Sequence, residues 1–266
     1  MALLTDGNAN DTEALRAYET TILDVAQTES IDLNAKLSLA TEEISQEVIN
    51  VLLDHTSVNY TPLTVAATLG ATANARRTMG VADVVVTPQI KRWHALHTLE
   101  LVYRDAYNNQ LNDRYRVKWN EYQQLSGDAR VRAIKYGIGL TSRPIPQGAQ
   151  PVFGVVSGTT LSTTYYASIS WASGPGQEGA PSNLTTYQTV DGSALTVTND
   201  LPPAVATGWN LYLGLTGAAL ALQNGTPLAI GQTFQLPPSG VVAGRAPGTG
   251  QAPDVYVTGG WTLNRG

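Results

Sequence analysis

The first half of the chain places apolar residues at the period of an α-helix. In residues 10–30 they recur three or four positions apart, and Asn10 is a residue type that caps helix starts. Residues 31–55 continue the pattern, with a predicted buried stripe of Leu37, Ala40, Ile44, Val48 and Leu52. The connection at residues 28–31 is short, which favours an antiparallel helix hairpin.

A longer helical pattern begins at Pro88, a residue type favoured in the first helical turn. Its apolar positions recur as far as Tyr122, and the polar residues 108–110 predict a break or kink. Two more short helices are predicted, over residues 63–79 and over residues 127–139, where glycines end the pattern. The Pro-rich residues 142–151 predict an extended linker.

The period changes to two after this linker, as in half-buried strands. The first strand has its apolar side chains at alternate positions, Tyr165, Ala167, Ile169 and Trp171. Further strands are predicted over residues 184–190, 193–200, 207–215 and 226–236. Asp191 and Gly192 are a hairpin signal between the first two of these. Trp171 and Trp209 are predicted to lie in the core.

Together the patterns predict a multidomain α plus β protein, with an N-terminal α-helical bundle followed by an all-β immunoglobulin-like sandwich. The predicted boundaries are 1–141 for the bundle, 142–151 for the linker, 152–240 for the sandwich and 241–266 for an extended tail. Residues 165–183 resemble the last two strands of fibronectin type III modules, and residues 206–214 resemble a middle strand. They occur in the reverse of the usual order, so the topology stays open.

Composition narrows the chemistry that the chain supports. It has 266 residues, 42% of them hydrophobic, and no cysteine, which excludes disulfides and thiolate metal sites. No stretch reaches the roughly 20 apolar residues of a membrane span, and the N-terminus lacks a signal-peptide pattern. We expect a soluble protein with no membrane association.

Charge is distributed unevenly along the chain. Residues 1–88 carry 4 basic and 12 acidic side chains, whereas residues 89–136 carry 9 basic and 5 acidic ones. Three arrangements fit this asymmetry: contact within one subunit, contact between neighbouring copies, or separate solvated surfaces. The net charge of −5 gives no reason to expect general affinity for nucleic acid.

The segments KRWHALHTLELVYRDAYNNQLNDRYRVKWNEYQQL and GIGLTSRPIPQ, with the acidic helix pair before them, resemble the head–tail adaptor (connector) proteins of tailed bacteriophages. The resemblance is one of pattern over residues 10–147. It implies a structural virion protein of the neck, assembled in the host cytoplasm. The family forms rings below the portal, usually of twelve copies, that extend the DNA channel toward the tail.

The resemblance also implies the partners. These are further copies of the chain, the portal protein, downstream neck and tail proteins, and double-stranded DNA in non-specific transit. No enzymatic activity and no cofactor are expected. The alternative is a virion-surface decoration or host-glycan-binding module, in which the low-charge sandwich recognises a surface and the helical domain anchors it. Exposed Tyr or Trp side chains would be needed for glycan binding.

Two sets of residues are candidates for protein contacts. The inter-subunit candidates are charged residues of both signs: Glu42, Glu43, Glu47, Arg114, Arg116, Lys118, Arg130 and Arg132. The partner-docking candidates are in the tail: Val255, Tyr256, Val257 and Trp261. The tail adds a strand to a partner's sheet, completes the chain's own sandwich, or returns to the helical domain.

Residues that suggest chemistry are few. His94 and His97 lie three apart on a predicted helix with Glu100 one step further, but we interpret them as polar rings beside Trp93, not as a metal site. Glu178 and Asp191 are the only nearby carboxylates that fit a glycosidase pair, and both are predicted in turns. We therefore expect no catalytic residues and no metal site.

Overall fold

The structure of the protein, a computed structural model, describes residues 2–59, 80–174 and 176–258. The chain divides into two compact units, one of Arg143–Ala252 with the N-terminal residues up to Leu3, the other of Leu4–Ser142 with the segment from Pro253. The predicted fold class is confirmed, because a helical region precedes a β-rich region of antiparallel sheets. The helix predicted over residues 63–79 lies outside the described residues.

The described part of the helical unit contains five α-helices. They are α1 (Thr12–Arg16), α2 (Ile22–Thr28), α3 (Leu33–Asn59), α4 (Pro88–Gln110) and α5 (Asp113–Tyr136). The break expected near residues 108–110 separates α4 from α5: Leu111 adopts a left-handed backbone with φ 53°, and the Asn112 side chain accepts from the Arg114 amide at 2.9 Å to cap α5. The helix predicted over residues 127–139 is the last part of α5, which ends at Tyr136 and has Gly137 as its C-cap.

The start of the chain differs from the prediction of one helix over residues 10–30. Two short helices form, and Asp11 caps the first by accepting from the Ala14 amide at 2.7 Å. Asn10, the predicted cap, instead donates its side-chain amide to the Lys91 carbonyl at 2.7 Å. The side chain of Asn10, which local propensity assigned to the cap, is therefore used in a tertiary hydrogen bond. Asp11 supplies the capping side-chain oxygen one position later.

The core of the helical unit follows the predicted stripe on α3. All five of its residues are buried: Leu37, Ala40, Ile44, Val48 and Leu52. The helix α4 buries side chains on most sides, including Ile90, Trp93, Leu96 and Leu99, because it packs against both α3 and α5. These side chains belong to one continuous apolar cluster.

The described residues also form ten strands. They are β1 (Ile138–Leu140), β2 (Val152–Thr160), β3 (Thr164–Ala172), β4 (Thr185–Gln188), β5 (Ser193–Thr198), β6 (Gly208–Gly214), β7 (Ala221–Leu222), β8 (Leu228–Ala229), β9 (Phe234–Gln235) and β10 (Val255–Val257). One sheet has the order β2-β5-β9, and a second has the order β4-β3-β6-β7 with β8 also paired to β6. The short strands β1 and β10 pair antiparallel in the helical unit.

The two larger sheets enclose one core. Trp171 and Trp209, predicted to be internal, are buried there with Leu195, Val197 and Leu211. When β2 to β7 are taken as strands B, C, C′, E, F and G, these six strands have the sheet order of an immunoglobulin-like sandwich, whereas β9 pairs with β5 at the place of strand D although it comes last in the chain. Residues 165–172 thus occupy a middle strand, which corrects their assignment to the last two strands.

Asp191 and Gly192 do not close a hairpin. The strand before them, β4, pairs with β3, whereas the strand after them, β5, pairs with β2 in the other sheet. The turn therefore carries the chain across the sandwich. The hairpin signal is a property of local backbone preference, with φ 74° at Gly192, and it does not specify which strands pair.

Most of the predicted linker, residues 142–151, packs into the sandwich unit. Ile145 is buried in the sandwich core, and the Gly148 amide donates to the Ala180 carbonyl at 2.9 Å. The prolines keep this segment extended, but its apolar side chain and backbone groups find partners in the same unit. Residues 143–151 are therefore a packed segment rather than a free spacer.

Candidate functional site

Five of the eight predicted interface residues are paired inside their own chain, and three of these form Arg or Lys ion pairs with another helix or segment. The Arg130 guanidinium contacts the Glu47 carboxylate, with Nε 3.1 Å from Oε1, and so joins α5 to α3. Lys118 Nζ lies 2.9 Å from the carboxylate of Glu19. Part of the charge asymmetry is thus neutralised within one subunit, the first of the three arrangements considered from the sequence.

Four of the candidates lie on the surface with fewer partners. Arg116 pairs with Asp113, one turn earlier on its own helix, at 3.2 Å. Arg114, Arg132 and Glu42 are exposed, and none of them forms an ion pair with a residue that the structure describes. These side chains keep their charge available for contact with another molecule.

Arg114 and Arg132 project from the same side of α5. They are five helical turns apart at about 3.6 residues per turn, so their side chains point in one direction. Val117 and Val131 lie beside them and are 65% and 58% exposed. We name Arg114, Val117, Val131 and Arg132 the α5 face. Its two arginines lie about 90° around the helix from the buried side, which includes Tyr122 and other core residues, and the two valines lie farther from it.

The helix α3 has a corresponding exposed side of opposite charge. Glu42, Ile49 and Leu53 are seven and four residues apart, which places them in one row along the helix. Ile49 and Leu53 are 41% and 59% exposed. We name these three residues the α3 face. Ile49 and Leu53 were not identified as surface residues from the sequence. Both fall outside the predicted buried stripe, but their exposure can be recognised only when the packing of the helix is known.

His94 is a fully buried structural residue. Its Nδ1 lies 3.0 Å from the side-chain nitrogen of Asn10 and accepts from it. Its Nε2 lies 3.1 Å from the Leu37 carbonyl, to which it donates, and 2.9 Å from the Thr41 hydroxyl. Burial lowers the pKa of His94 to about 4, so the ring is neutral at physiological pH. Both nitrogens are occupied by protein groups.

His97 lies between two carboxylates. Its Nδ1 is 3.0 Å from Glu100, and its Nε2 is 2.6 Å from Glu43, a further interface candidate that is engaged inside the chain. Burial alone would lower the pKa of His97, but hydrogen bonds and charge from Glu100 and Glu43 raise it. Within the described residues, no group of three or more His, Cys, Asp or Glu side chains is arranged to hold a metal ion.

An open cleft of about 290 Å³ lies beside His97 and is lined in part by Glu47, Ser126 and Arg130. The Ser126 hydroxyl is 3.3 Å from Nδ1 of His97. This pair is unsuited to nucleophilic catalysis, because Glu100 lies closer than Ser126 to the same nitrogen and Glu43 holds the other, so neither ring nitrogen is free to accept the serine proton. The charged side chains that line the cleft are paired with one another.

In the sandwich, Glu178 is the centre of a polar network. Its carboxylate accepts from Ser170 and from the Tyr212 hydroxyl at 2.6 Å, and it pairs with Arg245, which also lies over the Tyr212 ring. Burial would raise the pKa of Glu178, but hydrogen bonds from Ser170, Tyr212 and Asn210 lower it overall. A carboxyl group held ionised in this way is the opposite of what a glycosidase general acid requires.

Asp191, the other predicted carboxylate, is bound elsewhere. Asp191 lies in the turn after β4 and accepts from the Ser162 amide at 2.6 Å. Among the contacts of the described residues, it shares no hydrogen-bond partner with Glu178. The structure therefore does not bring the two together through a common partner. The described Trp and Tyr side chains of the sandwich are all buried or half-buried.

The tail returns to the helical unit. Val255, Tyr256 and Val257 pair antiparallel with β1, where Val257 lies opposite Ile138, and Val257 is 1% exposed within the apolar cluster. Asp254 fixes the approach by accepting from the Ser142 amide at 2.8 Å. Of the predicted docking residues, Tyr256 is exposed, and Trp261 lies outside the described residues.

Comparison with known proteins adds no relative. No protein-family model matches the chain, and no curated protein matches it. Across the described helices, none is long and apolar enough to cross a membrane.

Proposed function

We propose that the protein is a structural component of the neck of a tailed phage, a head–tail adaptor whose helical unit assembles into a ring below the portal. The ring would extend the DNA channel toward the tail, and the portal and downstream neck proteins would be its partners. The observation that carries the proposal is a pair of exposed helix faces: the α5 face places Arg114 and Arg132 beside exposed valines, and the α3 face places Glu42 beside exposed Ile49 and Leu53.

The charges of Arg114, Arg132 and Glu42 favour a cyclic assembly. If the α5 face met its own copy across a two-fold axis, Arg114 and Arg132 would lie near like charges. Contact between the α5 face of one subunit and the α3 face of the next places Arg132 and Glu42 in oppositely charged surfaces. Such a head-to-tail contact uses two different surfaces on each copy, and it closes into a ring when the rotation allows.

The proposed contact uses fewer charged residues than the contact predicted from the sequence. It retains Glu42, Arg114 and Arg132, and it omits Arg116, which pairs with Asp113 and lies outside the α5 face. It leaves out Lys118 and Arg130, whose charges are already matched inside the subunit. Apolar contributions from the exposed valines, Ile49 and Leu53 would supply most of the association energy, since exposed ion pairs contribute only about 0.2–1 kcal/mol each.

Electron microscopy of the purified full chain, with and without its portal protein, tests the proposal. Rings of uniform diameter that bind the portal are the expected result, and rising salt should weaken them because the contact is partly ionic. A chain that stays monomeric at high concentration and does not bind the portal would refute the proposal.

A further inference from the structure

The strand β2 is a long sheet edge that the described chain leaves open. All its sheet hydrogen bonds go to β5, and no described residue pairs with its other side. The other edges are short or covered: β4 has four residues and β9 has two, and β7 is covered where the Leu222 amide donates to the Arg245 carbonyl at 2.9 Å. β2 has nine residues.

This edge also lacks the usual protection against strand pairing. Natural edge strands carry charged side chains, proline or bulges that prevent a second strand from adding. Residues 152–160 contain no charged residue and no proline, and the register shift with β5 occurs only between Ser157 and Thr160. The first five residues, 152–156, are therefore a regular and unprotected template.

We propose that β2 pairs antiparallel with β2 of a second copy of this chain, about a two-fold axis at Gly154. This register places Val152 opposite Val156 of the second copy and Phe153 opposite its Val155. It would join the two three-stranded sheets into one of six strands. The proposal does not depend on the ring, because no residue of the helical unit takes part.

The side chains of β2 fit this occupant. Phe153 and Val155 face the core, since their β5 partners Val197 and Leu195 are buried, yet Val155 is 43% exposed at the edge. Phe153 of the second copy would cover it. On the outer face, Val152 and Val156 are also exposed, and the two-fold register brings each against the other. An uncharged strand meets its own copy without like-charge repulsion.

Cysteine cross-linking tests the register directly, because the chain has no native cysteine. The full-length variants V152C and V156C are prepared separately, one with a mass tag, then mixed and oxidised. Opposed Cα atoms in an antiparallel pair lie within disulfide reach, at roughly 4.5–5.5 Å. The same residue in the two copies is offset by four positions, or about 13 Å, which is beyond reach.

The expected result is a cross-linked heterodimer in the mixture and little homodimer of either variant alone. Absence of the heterodimer, or homodimers of equal yield, would overturn the proposal and leave the edge to a different partner. A second pair of variants checks it without oxidation. V152K/V156K should abolish sandwich pairing, and V152E/V156K should retain it, because the introduced charges are then opposite across the axis. Equal behaviour of the two would also overturn the proposal.

Discussion

The Tyr122 hydroxyl donates a 2.9 Å hydrogen bond to the carboxylate of Glu19. The bond ties the middle of α5 to the segment between α1 and α2, and Lys118 reaches the same carboxylate from one turn earlier. Burial would raise the pKa of Glu19, but hydrogen bonds from Lys118, Tyr122 and Thr21 lower it overall. The N-terminal helices are thus fixed to α5 by an ionised carboxylate with several donors.

Tyr122→Phe removes one of these donors and should destabilise the helical unit. A hydrogen bond to a charged group contributes about 1.5–3 kcal/mol, and the phenyl ring keeps its packing against Tyr103. We expect a fall of that size in the free energy of unfolding, measured by urea denaturation followed through the helical circular dichroism signal. Tyr136→Phe, at an exposed residue, is the control and should leave the midpoint unchanged.

His97 should make the helical unit more stable in mild acid. Its pKa in the folded chain is raised by Glu100 and Glu43 against the opposing effect of burial. Its contribution is therefore fully present below the ordinary histidine pKa of about 6.5, and it is lost as pH rises through the folded value. His97→Gln removes this dependence. The difference in unfolding free energy between wild type and variant should be larger near pH 6 than near pH 9.

Comparison with the variant at each pH cancels the titration of other groups, His94 included. The ring of His94 acts in the opposite sense, because its pKa is lowered to about 4 and its neutral form stabilises the fold. A stability difference that stays constant across this range would show that His97 is not held protonated between the two carboxylates.

Gly148 tests whether the segment before β2 is a packed part of the sandwich. A Cβ atom at this position would lie 1.9 Å from the Ile169 carbonyl oxygen, so Gly148→Ala forces the backbone to move. Overpacking of this kind costs about 1–3 kcal/mol. Gly225→Ala is the matched control, since its Cβ would meet nothing within 4 Å. Equal thermal stability of the two variants would mean that residues 143–151 are a free linker.

Periodicity predicted most elements, and the exceptions have physical causes. The buried stripe of α3 follows from one-sided burial, which leaves a regular pattern in the sequence. β3 also alternates in sequence, but it is buried on both faces rather than half-buried as predicted, because Ser168 and Ser170 are covered and hydrogen-bonded on the side away from the apolar core. β2 was missed as a strand because it is an edge, and its run VFGVVSGTT is partly exposed on both faces and does not alternate. The pairing of the strands could not be predicted either, since the turn at Asp191 connects strands of different sheets.

The candidate contact surface shows the same limit. Residue type alone identified the charged residues. Arg130 and Arg132 are two positions apart, however, and this is a rotation of about 200° around α5, so the two side chains point in nearly opposite directions. One meets Glu47 of its own chain, and the other is exposed. Only the packing of α5 against α3 separates them, because the sequence contains the same side chain at both positions.

This difference provides the sharpest test of the proposed ring. Arg132→Glu reverses a charge on the α5 face without breaking any ion pair of the described chain, so it should reduce assembly and leave the free energy of unfolding nearly unchanged. Each exposed pair contributes only about 0.2–1 kcal/mol, but the contact recurs at every interface of a ring. Sedimentation velocity at fixed protein concentration measures the loss.

Glu42→Arg should reduce assembly in the same way, and the double variant E42R/R132E should recover part of it because the signs are exchanged across the interface. Arg130→Glu is the matched control: it breaks the pair with Glu47 inside the subunit, so it should lower stability more than Arg132→Glu does. If the double variant assembled no better than either single variant, the α3 and α5 faces would not contact each other in the assembly. The head-to-tail contact would then have to be sought on other surfaces.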